Sequence, residues 1–176
     1  MKMKKSWFIA CMMLCTLMIA TSCSDDDEET VSKEWKEVNR QAFYDITADK
    51  TNYKELKALN NGGSIYYKVL KEGEGTEPIY YNTKVGIYYT GTMINPSDYS
   101  EWVVFDKQED PEQDPYVSSA GSFVAGFTTA LQYMHVGDRW EIWIPYQLAY
   151  GVSGLKDIPG YTTLKFEVEV HSIVTP

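Results

Sequence analysis

From residue 64 onward, apolar side chains recur at every second position, and that period predicts strands. SIYYKVLKEGEG (64 to 75) reads as a strand running into a Gly-rich turn. KVGIYYTG (84 to 91) sets Val85, Ile87 and Tyr89 on one face, and RWEIWIP (139 to 145) does the same with Trp140, Ile142 and Ile144. The last strand alternates most strictly, with Leu164, Phe166, Val168 and Val170 inward and Lys165, Glu167, Glu169 and His171 outward. One segment breaks the period: VAGFTTALQYM (124 to 134) reads as a short helix that Gly137 terminates. Antiparallel strands with one wet face and a single short helix on the other predict an α+β domain over residues 63 to 176.

Before residue 64 the period is helical. SKEWKEVNRQAFYDITADK (32 to 50) places Trp35, Val38, Ala42 and Ile46 on one stripe, with Ser32 as the cap. A second short helix through Tyr53, Leu56 and Leu59 is expected to end at the glycines of NGG (61 to 63). Together they make a helical extension over residues 32 to 62. The pattern allows it to pack on the domain or to pair with another chain. One apolar stripe of about three turns is little to hold a dimer, which favours packing on the domain and a monomer.

The opening of the chain reads as an address. Lys2, Lys4 and Lys5 precede the apolar run WFIACMMLCTLMIA (7 to 20), which is short for a membrane span, and small residues lead into Cys23. Residues 1 to 22 are therefore expected to be a signal peptide. SDDDEET after Cys23 suits neither a helix core nor a strand, so 23 to 31 reads as an acidic tether. The junction ATSC resembles a bacterial lipoprotein cleavage site, although Ala20 stands where such sites usually carry a larger aliphatic residue. That resemblance implies lipidation of Cys23 and an outer-membrane lipoprotein of the cell envelope, on the periplasmic side or the cell surface. Plain secretion is the alternative. Cys11 and Cys15 would leave with the signal peptide, so the mature chain would have no disulfide, no other thiol and no cysteine metal site.

Charge and missing motifs narrow the chemistry. The chain of 176 residues has net charge −9, and removing the three lysines of the opening segment makes the rest more acidic still, which argues against nucleic acid as a partner. His171 falls on the polar face of the last strand, and His135 is expected in the last turn of the predicted helix, where a cation suits the dipole. There is no Gly-rich phosphate loop, no nucleophile elbow and no metal-binding His pair. DKQEDPEQDP (106 to 115) lacks the central glycine of a calcium loop and reads as a solvated loop. No metal and no cofactor is expected. What abounds is aromatic side chains at strand ends, the material of an apolar cavity with few polar groups. IPYQLAYG (144 to 151) poses the sharpest case, since Tyr150 beside a glycine turn can keep an apolar body and a wet hydroxyl.

Five separated segments then agree with one family. IYYTG (87 to 91), VFD (104 to 106), AGF followed by ALQYMHVGD (125 to 138), IPYQLAYG and IPGYTTLKFEVEV (158 to 170) resemble FKBP-type peptidyl-prolyl isomerases in order and approximate spacing. The resemblance covers roughly residues 64 to 174. It implies a curved antiparallel sheet wrapped around one short helix, and isomerisation of X-Pro bonds in unfolded or extended polypeptides. The implied catalytic set is Tyr89, Phe105, Asp106, Tyr150 and Phe166. Phe123, Val124, Phe127 and Ile158 would bind substrate, with Phe127 as floor, Val124 offering its backbone N–H and Tyr150 its hydroxyl. Binding of macrolide inhibitors is implied too. A binding module that keeps the fold without catalysis is the alternative reading.

The departures are specific. The floor, commonly Trp in the family, is Phe127, which implies a deeper cavity without an indole. The stretch TMINPSDYSEWV (92 to 103) is longer than in minimal members, and its Tyr99 and Trp102 are candidates to cover the site or to contact a partner or glycan. No arginine follows Asp106 to match a basic residue that some members place there, and Tyr116 and Tyr146 receive no role.

Overall fold

The alternation translates directly into a single twisted sheet of β1 (Lys54–Lys57), β2 (Ser64–Lys71), β3 (Lys84–Asn95), β4 (Asp98–Gln108), β5 (Tyr116–Ser119), β6 (Arg139–Ile144) and β7 (Leu164–Ile173). The order is β1-β2-β6-β7-β3-β4, with β5 also paired to β3, and every neighbouring pair is antiparallel. The computed structural model describes residues 31–58, 63–110 and 112–174. The expected signal peptide, Cys23 and the expected tether through Thr30, as well as Leu59 and the Asn61 and Gly62 of the expected NGG stop, therefore lie outside the described residues. Residues from Val31 on form one compact unit.

β7 shows why the pattern was readable. Leu164, Phe166, Val168 and Val170 are buried while Lys165, Glu167 and Glu169 are only partly covered and His171 is exposed. Val85 and Ile87 of β3 and Trp140, Ile142 and Ile144 of β6 fill the same inner face. Against it lies the short helix α2 (Ala125–Leu131), in which every residue from Gly126 to Leu131 is buried. Seven residues are too few for a helix to persist on propensity, so burial holds it. Its two threonines are satisfied internally, Thr128 Oγ1 donating to the Ala120 carbonyl and Thr129 Oγ1 to that of Ala125, each at 2.8 Å. Gly126 sets the depth of the contact: a Cβ there would sit 2.4 Å from Ile144 Cγ2 and 3.0 Å from Ile65 Cγ2.

The helix is shorter than its apolar pattern and stops at Leu131, so His135 lies beyond it. There the His135 N–H donates to buried Asp138 Oδ2 at 2.7 Å, and the Gly73 N–H donates to Oδ1 at 2.7 Å, fixing the turn before β6. Gly137 occupies that turn with φ +92°, a backbone shape that side chains with a Cβ rarely adopt.

The first helix, α1 (Lys33–Ala48), forms as the stripe predicts, and Ser32 Oγ caps it by accepting from the Trp35 N–H at 3.0 Å. It packs on the domain. Trp35 is buried and donates its indole N–H to the Gly160 carbonyl at 2.9 Å. Asn39, buried one turn on, accepts from the Thr163 N–H at 2.8 Å, and its own carbonyl accepts from Thr163 Oγ1 at 2.9 Å. The second predicted helix is corrected: Lys54–Lys57 is strand β1, with Glu55 opposite Tyr66 and Leu56 opposite Ile65. Tyr53 decides this, since its hydroxyl donates to Glu141 at 2.5 Å and its ring meets Trp143 edge-on, leading the chain onto the sheet. Ladder pairing then outweighs a weak helical stripe.

The long segment 92–103 is a strand extension and not a cover. It lengthens β3 and β4 into a hairpin that leans on α1, with Tyr99 5.6 Å from the Trp35 ring, while Trp102 packs edge-on against Trp143 at 5.1 Å.

Replacing Asn39 by Ala leaves the buried Thr163 N–H without its partner and is expected to cost about 1–3 kcal/mol. A lowered thermal midpoint measures this, and an unchanged midpoint would show that the Asn39 bond does not hold α1 to the domain.

Candidate active site

The inner face of the sheet and the entry to α2 enclose a cavity of about 320 Å³, lined by Tyr89, Phe105, Asp106, Tyr116, Ser122, Phe123, Val124, Phe127, Tyr150, Leu155 and Phe166. Each wall has a local cause. Phe166 projects inward from β7 by alternation, and Phe127 is carried to the floor by the Gly126 contact. Phe105 is placed by a bulge: between Gly91 and Thr92 the β4 partner jumps from Asp106 to Val104, leaving Phe105 unpaired in the ladder and free to turn over the cavity. Gly91 makes room for it, since a Cβ there would lie 2.6 Å from Phe166 Cε1 and 2.8 Å from Phe105 Cζ.

The rings meet mostly edge to face, which suits their quadrupoles. Phe105 and Phe127 stand edge-on to Phe166 at 5.5 and 5.0 Å, and Tyr89 stands edge-on to Phe127 at 6.3 Å. Phe123 stacks on Phe127 at 4.7 Å. Phe127 and Phe166 are buried, with 2% and 6% of their surface exposed, so the floor is dry.

Of the three tyrosines that line the cavity, Tyr116 is exposed, and the hydroxyls of the more buried Tyr89 and Tyr150 differ in what they do. Tyr89 donates to Asp106 Oδ2 at 2.8 Å, so its proton is committed. Burial first, and then that hydrogen bond, push the Tyr89 pKa well above the ordinary tyrosine value. Tyr150 is raised as well, by burial and then by the Asp106 charge, yet no hydrogen bond holds its hydroxyl among the described residues. Its place comes from the chain beyond β6, where Gly151, at φ +68°, turns back and donates its N–H to the Tyr146 carbonyl at 2.8 Å. Val124 is the residue preceding α2, and its carbonyl accepts from the Thr128 N–H at 3.0 Å. The cavity thus offers aromatic walls, one carboxylate already paired, and, among its unpaired hydroxyls, that of Tyr150 as the half-buried one, since Tyr116 and Ser122 are exposed.

Of the nine pocket residues expected from the sequence, eight line the cavity. Ile158 does not: it is buried, 8% exposed, and exchanges backbone hydrogen bonds with Leu155 at 2.9 and 3.0 Å, so that Leu155 takes the rim. Tyr116, Ser122 and Leu155 were missed. Tyr116 begins a strand of only four residues, and the position of Leu155 depends on a bridge between two turns, so neither carries a period to read. No residue from 92 to 103 lines the cavity.

Two other hollows differ in kind. One of about 480 Å³ lies on the outer sheet face among charged groups that already pair, such as Arg139 with Glu167. The other, about 510 Å³, lies between α1 and the Pro145–Leu148 turn and brings no paired carboxylate and hydroxyl together.

Residues 75–171, more than half of the chain, match the family described as FKBP-type peptidyl-prolyl cis-trans isomerase. The chain belongs to that family. The chain is 33% identical over 143 residues to the FKBP-type 22 kDa peptidyl-prolyl cis-trans isomerase of Escherichia coli (strain K12), covering 78% of this chain and 66% of that protein. It is also 33% identical over 110 residues to the outer membrane protein MIP of Legionella longbeachae, covering 62% of this chain and 44% of that one. The chain thus spans less than two thirds of the length of either relative. Among solved structures, the FKBP fold here superposes on a peptidyl-prolyl cis-trans isomerase from Pseudomonas syringae pv. tomato with TM-score 0.65 and 28% identity, covering 82% of this chain and 98% of that one. The α+β architecture with an added N-terminal helix is therefore that of the family.

Adding a methyl at Gly91 (Gly91→Ala) forces the Phe105 and Phe166 rings apart and is expected to cost about 1–3 kcal/mol of stability. Wild-type stability in chemical denaturation would mean that the rings have slack the packing does not show.

Proposed function

We propose that the protein is a peptidyl-prolyl cis-trans isomerase that acts on X-Pro bonds of exported, unfolded or extended polypeptides. The observation that carries this reading is a dry aromatic wall on which Asp106 is paired with Tyr89 while Tyr150, unlike the exposed Tyr116 and Ser122, keeps an uncommitted hydroxyl in a half-buried position.

The reaction asks for little else. Rotation about the X-Pro bond is slow because the amide has partial double-bond character, with a barrier of about 18–20 kcal/mol. No covalent bond breaks, so neither nucleophile nor titrating base is needed. An apolar cavity disfavours the charge-separated resonance form of the planar amide, and the twisted state, with its single C–N bond, is less affected. The proline ring would sit on Phe127 and Phe166 between Tyr89 and Phe105, with Phe123 beside the floor. The Val124 N–H and the Tyr150 hydroxyl would hold the flanking carbonyls in the twisted geometry. Asp106 would act through Tyr89, fixing that ring while facing the rim. Macrolide inhibitors would compete for the same walls. Ile158 would act only by holding Leu155.

The lipid anchor belongs to the same proposal. Cys23, after a charged, apolar and small-residue leader, would carry the lipid, and the acidic tether would hold the enzyme away from the bilayer of the outer membrane. The name of the Legionella relative, outer membrane protein MIP, supports an envelope location. No helix among the described residues is long and apolar enough to cross a membrane. A monomer fits α1, whose Trp35 and Asn39 are spent on contacts within the chain.

In a proline-peptide isomerisation assay, Tyr150→Phe is expected to lower kcat/KM about tenfold, the loss of one hydrogen bond made in the twisted state. Phe166→Ala should lower it further by opening the floor. Wild-type activity no better than that of either variant would reduce the protein to a peptide-binding module. A raised pKa keeps the Tyr150 proton on at higher pH, so the rate should be flat from about pH 6 to about pH 9; a rate that changes through that window would implicate an ionising group. Cys23→Ala should leave the membrane fraction for the soluble one, and continued sedimentation with membranes would refute lipidation at that residue.

A further inference from the structure

The sheet protects its edges unequally. β1, at one end, is KELK, three charges in four residues. β4, at the other, is bulged at Phe105 and carries Glu101, Asp106 and Lys107. Charges and bulges are the usual devices that stop an edge from recruiting another strand. β5 has neither: it is YVSS, with no charge, no proline and an unshifted register on β3, and among the described residues nothing pairs with its other side. Its first residue, Tyr116, lines the aromatic cavity, 6.2 Å from the Tyr89 ring and 6.1 Å from that of Phe123.

The direction of its hydrogen bonds follows from the register. The Ala120 N–H donates to the Thr83 carbonyl at 2.9 Å, so by alternation Ser118 and Tyr116 bond toward β3. Val117 and Ser119 therefore turn their N–H and C=O groups to the free edge. The opposite face of β3 agrees, since the Lys84 carbonyl, opposite Ser119, accepts from Val174 at 2.8 Å on the β7 side. Val117 also presents an apolar side chain that is 49% exposed.

We propose that β5 is an exosite where the extended chain flanking the proline adds as a further strand, bonded to the outward N–H and C=O of Val117 and Ser119. The proposal rests on the isomerase reading for its occupant, and the continuity of Tyr116 with the cavity identifies that occupant as the polypeptide whose proline is bound. Strand addition supplies main-chain affinity without demanding a sequence, which suits a site that meets many unfolded clients. A second copy of the chain is disfavoured, since each carries net charge −9.

The test compares a tetrapeptide with a peptide about twelve residues long, long enough to reach β5 from the same X-Pro bond and rich in β-branched residues, on the full chain. The long peptide is expected to show about fivefold higher kcat/KM, the worth of roughly one or two main-chain hydrogen bonds. Val117→Pro removes one outward N–H and none that β3 uses; it should abolish that advantage and leave the tetrapeptide rate unchanged, whereas Val117→Ala should keep the advantage. In the unsubstituted protein, hydrogen exchange at the Val117 and Ser119 amides should slow when the long peptide is added. Equal rates for both peptides, an advantage that survives Val117→Pro, or unprotected amides would each overturn the exosite, as would a dimer that Val117→Pro converts to monomer. Absence of turnover on both peptides, with binding of the long one still lost in Val117→Pro, would remove the isomerase reading and keep the exosite.

Discussion

The missing side chain of Gly126 governs how the molecule closes. Because no Cβ intervenes, α2 settles against Ile144 and Ile65, and the sheet can wrap a helix of only seven residues. The helix is too short to form alone, and burial of Gly126 to Leu131, with the Thr128 bond to Ala120, holds it in place. Its position in turn decides the site. Phe127, next in sequence, becomes the floor, and Val124, one residue before the helix, comes to the entrance. One close contact thus joins core packing to the geometry of the cavity.

Polar groups around that cavity are few and unequal. Asp106 occupies Tyr89, which orders the ring and removes a donor from use, while Tyr150 keeps an available hydroxyl at a turn that Gly151 makes possible. The bulge at Phe105 and the bare backbone at Gly91 do the same for the walls, because aromatic rings need volume that a regular, fully substituted pair of strands does not leave. The proposed rotation of a neutral amide asks for such an environment: dry enough to disfavour charge separation, and fixed enough to hold a twisted geometry.

α1 and the long β3–β4 hairpin form a separate reinforcement away from the cavity. Trp35 of α1 joins the loop before β7 to the hairpin, donating to Gly160 and packing against Tyr99, and Asn39 fastens the helix to Thr163 just before β7. Since Gly160 and Thr163 belong to the segment that returns from the rim residue Leu155, the helix steadies the chain that frames the site without lining it. The extra length between Gly91 and Phe105 is therefore scaffold.

Much of this was legible as pattern. Period-two alternation marks β3, β6 and β7 because one face is dry and the other wet, a constraint that each strand meets locally, and the Trp35 stripe with its Ser32 cap is equally local. The aromatic positions of the pocket could be assigned because five motifs keep a family's order and spacing. What the chain alone determined, then, was which residues face inward and which family their motifs point to. Tertiary structure decided the rest. Lys54–Lys57 became a strand because Tyr53 found Glu141 and β2 offered a ladder; Leu155 displaced Ile158 at the rim through a bridge between two turns; Tyr116 joined the cavity from an edge strand too short to show a period. Each of these outcomes depends on a partner distant in sequence, and no local pattern can encode which distant group will be there.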